Sequence, residues 1–142
     1  MVSATELPAE PRRRLAVLAC MDARLDPARV LDLEPGDAHV IRNAGGVVTD
    51  DAIRSLAISQ SVLGTEEVLV IQHTRCGMLT PEDELRGRLA GDPPWPLHAF
   101  DDLEASVRDS VAAIRESPFV PNKGSIRGFV YEVESGRLRE VT

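Results

Sequence analysis

Leu15-Ala-Val-Leu-Ala19 is a continuous apolar run that passes without a break into Cys20, Asp22 and Arg24. Arg12, Arg13 and Arg14 bound it on the N-terminal side. A short unbroken run of this kind reads as a strand buried on both faces, the mark of a parallel sheet with helices on its two sides. In open α/β sheets the chemistry collects beyond the carboxyl ends of the strands. Cys20, Asp22 and Arg24 stand at such an end. A second run, Val68-Leu-Val-Ile71, repeats the design and delivers Gln72-His-Thr-Arg-Cys-Gly77.

The intervening chain supplies crossovers. Asp26-Pro27 predicts a helix start, with aspartate as cap and proline at the first helical position, running to about Leu31. His39 to Ile41 is a brief strand, followed by the loop Arg42-Asn-Ala-Gly-Gly46. Thr49 or Asp50 caps a helix to about Leu63, and Gly64 stops it. After the strand Val68–Gln72, a short charged helix spans Pro81 to Leu89 and a proline-rich loop spans Gly91 to Pro96. Asp101 or Asp102 caps a helix to Glu116, with Leu103, Val107, Val111 and Ile114 along one face. Ile126 to Val133 is a strand, and Glu134-Ser-Gly-Arg137 turns it back into an edge strand through Val141.

Strand and helix alternate, so the expected class is α/β, with a mostly parallel sheet and right-handed crossovers. If the first and third strands both carry ligands they are neighbours, which gives the order 2-1-3-4 plus an antiparallel edge strand. The whole chain, 1–142, reads as one domain, with residues 1–11 as an N-terminal arm. A net charge of -7 and 4% aromatic residues speak against nucleic acid or an anionic membrane as partner. The N-terminus shows no secretory pattern, so the expected compartment is the cytoplasm, where thiols stay reduced. That setting favours free thiols over a Cys20–Cys76 disulfide.

Cys20, His73 and Cys76 offer two thiolates and an imidazole, a donor set suited to Zn2+. Three protein ligands leave a tetrahedral metal one open position, the pattern of a catalytic site. Asp22 either fills that fourth position or is held by Arg24 in a charge-assisted pair. His39 and His98 have no companion ligand at useful spacing and read as non-ligands. The loop Arg42–Gly46 reads equally as a structural turn and as an anion cradle.

Taken together, Cys20-Met-Asp-Ala-Arg24, Arg42-Asn-Ala-Gly-Gly46 and His73-Thr-Arg-Cys-Gly77 resemble the β-class carbonic anhydrase family, over about Leu15 to Leu79. The resemblance implies Cys20, His73 and Cys76 as zinc ligands and Asp22 with Arg24 as the catalytic dyad that frees or blocks the fourth position. It implies hydration of CO2 to bicarbonate by zinc-bound hydroxide, in a homodimer or higher homo-oligomer with active sites near the subunit interface. Hydrolysis of carbonyl sulfide or carbon disulfide on the same metal, and a non-catalytic zinc or bicarbonate binder, are the alternatives. Arg75 departs from the pattern, since relatives often carry an acidic residue there. It either attracts bicarbonate or forms a surface pair.

Overall fold

The computed structural model describes residues 6–142. Five strands form one sheet: β1 (Leu15–Cys20), β2 (Ala38–Asn43), β3 (Glu67–His73), β4 (Ser125–Glu132) and β5 (Arg137–Val141), in the order β2-β1-β3-β4-β5. All neighbours run parallel except β4 and β5, which form an antiparallel hairpin. The expected order and the antiparallel edge are both present.

Four helices complete the chain: α1 (Pro27–Val30), α2 (Asp50–Ser61), α3 (Glu82–Gly87) and α4 (Leu103–Glu116). Their starts follow side-chain chemistry. Asp26 accepts from the Ala28 amide, Thr49 from Ala52 and Asp102 from Ala105, satisfying donors that the first turn leaves free. Thr49 and Asp102, rather than their alternatives Asp50 and Asp101, are the caps.

Handedness then decides which face each helix covers. The β2-to-β3 and β3-to-β4 crossovers travel the same way along the sheet, so α2 and α4 lie on one face. There Leu56 of α2 and Ile114 of α4 meet Ala16, Val68, Val70 and Ile126. The β1-to-β2 crossover travels the other way. On the opposite face Leu15, Val17, Ala19 and Ile71 pack with Leu25, and Leu31 and Leu33 close against them. Every residue of β1 is therefore buried, as its apolar run requires. The crossovers part between β1 and β3, and a crevice at their carboxyl ends is the expected site.

The structure extends two elements beyond the sequence reading. β2 runs through Arg42 and Asn43, because its pairing with β1 continues to Cys20↔Asn43. β3 includes His73, paired with Tyr131. Residues 1–5 of the expected arm lie outside the described residues. The following segment is anchored rather than free: Pro11 is buried, and the carbonyl of Ala9 accepts from His39 Nε2 at 2.8 Å.

Candidate metal centre

β1 and β3 end side by side, and their tips bring Cys20, His73 and Cys76 together. One donor atom from each lies within 4.8 Å of the others, and all three residues are buried. Both cysteines are free, with sulfurs 4.0 Å apart. Two thiolates each about 2.3 Å from a tetrahedral zinc stand about 3.8 Å apart, so the spacing fits the ion. His73 Nδ1–H donates to the Thr74 carbonyl at 2.7 Å. That bond fixes the tautomer with its lone pair on Nε2, which is buried and has no hydrogen-bond partner. A buried acceptor with no protein partner, set beside two thiols, is a donor set that fits a metal ion.

The Cys20 thiol is biased towards the thiolate that binds a metal. The Cys20 thiol lies far below its ordinary value, chiefly through its hydrogen bond with Cys76, against the opposing effect of burial. His73 and the amides of Asp22 and Gly45 also stabilise the Cys20 thiolate. Cys76 is pushed up by that same contact and by burial. Its sulfur still accepts from the Met78 amide at 3.5 Å. Burial works against protonation of His73, but the neighbouring Cys20 thiolate and the bond to the Thr74 carbonyl leave the ring above its usual value.

Asp22 does not belong to the tight group of three. The strand stops at Cys20, and a turn carries the carboxylate beside the site, with Leu25 N–H bonded to the Asp22 carbonyl. Arg24 grips the carboxylate twice, Nε to Oδ1 at 3.0 Å and Nη2 to Oδ2 at 2.8 Å, while its amide also donates to Oδ1. These bonds, those of the Arg24 side chain first, hold the carboxyl well below the usual range. Asp22 Oδ2 is 3.6 Å from His73 Nε2. The carboxylate thus stands at the mouth of the donor set, engaged by arginine.

Several residues that the sequence singled out without a settled role support the site. Arg42 reaches under the β1 tip and donates to the carbonyls of Cys20, Asp22 and Leu25, at 2.7 to 3.0 Å. Asn43 bridges its own loop, accepting from Val47 N–H and donating to the Val47 carbonyl. These contacts favour the structural reading of Arg42–Gly46 over the anion cradle. Gly46, at φ 64°, is required there: a Cβ would lie 2.6 Å from Cys20 N and 2.8 Å from Ile71 O. Arg75 forms a surface pair with Glu134. His39 is spent on Ser59 and Ala9.

An α/β sheet whose two central parallel strands converge on a buried Cys2His donor set defines a zinc-site protein of the β-carbonic anhydrase type. The carbonic anhydrase family model matches residues 15–92. Beta-carbonic anhydrase 1 of Mycobacterium tuberculosis is 50% identical over 141 residues, covering 96% of this chain and 86% of that protein. The crystal structure of carbonic anhydrase from Streptococcus mutans superposes with a TM-score of 0.88 at 46% identity, covering 96% of this chain and 86% of the other. A carbon disulfide hydrolase of an Acidianus species is 38% identical over 157 residues, covering 90% and 77%. The chain belongs to the β-carbonic anhydrase family.

Proposed function

We propose that this protein catalyses the reversible hydration of CO2 to bicarbonate and a proton, with Zn2+ held by Cys20, His73 and Cys76. The observation that carries the reading is the open, buried Nε2 of His73 between two thiols, set beside an arginine-held carboxylate. Zinc in such a site lowers the pKa of a coordinated water towards about 7 and so supplies a nucleophile near neutral pH. The protein's own groups do the rest. Asp22, kept ionised by Arg24, would accept a hydrogen bond from the hydroxide that the zinc supplies and so orient its lone pair towards the carbon of CO2. The bidentate Arg24 grip keeps both carboxylate oxygens engaged and so favours the arrangement in which Asp22 stays off the metal. His73, tied through Nδ1 to Thr74, presents a fixed donor.

The protein works as a homodimer or higher oligomer in the cytoplasm. Two buried free thiols suit a reducing compartment, and no described helix is long and apolar enough to cross a membrane. Sedimentation of the zinc-loaded protein tests the oligomer, and a monomer at micromolar concentration would refute it.

The decisive experiment is stopped-flow CO2 hydration on zinc-quantified protein, from about pH 6.5 to 9, beside a Cys76→Ser control. Activity proportional to zinc content and absent from the control is the expected result. Zinc-loaded protein inert towards CO2 but active on carbon disulfide would transfer the reading to the hydrolase relatives. Zinc-loaded protein inert towards both would leave a non-catalytic zinc binder.

A further inference from the structure

Arg75 stands in an unusual backbone conformation. Its φ is 56°, in the left-handed region that a non-glycine residue enters only when held there. The side chain points away from the metal ligands, and its Nε donates to Glu134 Oε2 at 3.2 Å. The other oxygen of Glu134 accepts from the Thr74 hydroxyl at 2.6 Å. That hydroxyl in turn accepts from Val133 N–H at 3.0 Å, and Thr74 N–H donates to the Tyr131 carbonyl at 3.0 Å. Glu134 itself stands in the β4–β5 turn, closed by Gly136 N–H on the Glu132 carbonyl at 2.8 Å.

The two residues tied down in this way carry the two carbonyls that matter to the site. Thr74 O accepts from His73 Nδ1 at 2.7 Å, and Arg75 O accepts from Arg24 Nη2 at 2.8 Å. One holds a metal donor in its tautomer, the other holds the arginine that grips Asp22.

We propose that Glu134 is a positioning residue for the metal centre: its carboxylate spans from the β4–β5 turn to Thr74 and Arg75 and aims their carbonyls at His73 and Arg24. An isolated exposed ion pair contributes little. This carboxylate differs because it joins two groups, and one of them is a hydroxyl that the β4–β5 backbone also holds. Its acidity agrees, since the Thr74 hydroxyl, foremost among several partners, lowers the Glu134 carboxyl. The inference rests on the reading of Cys20, His73 and Cys76 as zinc ligands.

The test is the rate at which zinc-loaded protein gives up its ion to a colorimetric chelator, for wild type, Glu134→Ala, Glu134→Gln and the double variant Glu134→Ala/Arg75→Gly. Glu134→Ala should release zinc about tenfold faster, the lower range for loss of an outer-shell partner. Glu134→Gln should fall between, because its amide oxygen still accepts from Thr74. Glycine occupies the left-handed region without strain, so Arg75→Gly should recover part of the loss in Glu134→Ala, the part carried by Arg75, while the part carried by Thr74 stays lost. That rescue separates positioning from general loosening of the surface. Unchanged release in both single variants, or no recovery in the double variant, overturns the inference while the metal site stands. Wild type that binds no zinc overturns the metal site and the inference together.

Discussion

Arg24 holds Asp22 through two parallel side-chain bonds of 3.0 and 2.8 Å, and the same Nη2 reaches the Arg75 carbonyl at 2.8 Å. One guanidinium thus ties the β1 tip to the β3 tip across the metal donors. An ammonium is a point donor without the planar fork, so Arg24→Lys keeps the charge and loses the geometry. The expected result is a fall in kcat of about ten- to a hundredfold with zinc content unchanged. Stopped-flow hydration with metal analysis on the same sample checks it. A wild-type rate in the lysine variant would remove Arg24 from the catalytic machinery.

Gly46 occupies the seam between the same two strands. Its missing side chain lets Cys20 N and Ile71 O approach a point where a Cβ would be 2.6 and 2.8 Å away, both of them backbone atoms that cannot swing aside. Gly46→Ala combines this overlap with a left-handed φ of 64°. Overpacking and backbone strain together should destabilise the protein by about 3 kcal/mol. Urea unfolding measures the loss, and the variant should also purify with less zinc. Gly64, also left-handed but with open space around its Cβ position, is the control and should lose much less on substitution.

The contrast between these two glycines shows what a sequence can and cannot carry. β1 and β3 were legible because burial on both faces writes an unbroken apolar run, and the candidate metal donors follow those runs directly. The order of the strands followed from the requirement that the two tips meet. β2 was only half legible: Arg42 and Asn43 are strand residues because their backbone pairs with Ala19 and Cys20, which hydrophobicity does not record. Asp22 lies past the end of β1, where strand geometry no longer aims its side chain. It reaches the site through a turn instead, stabilised by its own side chain accepting from Arg24 N–H. Arg42 and Glu134 stood out in a motif and in a turn, but nothing local named the groups they hold. Their partners lie 17 to 22 and 59 to 60 residues away, so their roles exist only once the sheet has formed.

Asp37 illustrates a pH effect away from the metal. Its carboxylate accepts from Glu34 N–H at 3.0 Å and from Arg12 at 2.9 and 3.0 Å, and Arg13 lies 3.3 Å away. These partners, the Glu34 amide foremost, lower its pKa in the folded protein. A carboxyl depressed on folding contributes stability above its unfolded value of about 3.9, and that contribution disappears as pH falls through the folded value. Asp37→Asn should therefore unfold at lower urea than wild type at neutral pH. The gap should persist to about pH 5 and narrow only below about pH 4. A gap that stays constant to the acid limit would mean that shape, rather than charge, is what Asp37 contributes.

Removing the metal should expose a second chemistry of the same atoms. Cys20 and Cys76 sulfurs are 4.0 Å apart and both buried, so they can reach one another more readily than any external thiol. A disulfide needs about 2.05 Å between sulfurs, an approach of about 2 Å that a bound zinc opposes by holding each thiolate on itself. Chelator-treated protein exposed to a mild disulfide-forming oxidant should lose both thiols without forming covalent dimers. Zinc-loaded protein should retain both under the same treatment. Thiol titration and non-reducing electrophoresis read the two outcomes, and reduction followed by zinc addition should restore the original thiol count. Intermolecular dimers in the metal-free sample would show that the tips of β1 and β3 separate once the ion leaves. Equal oxidation with and without zinc would show that the ion does not engage these two sulfurs.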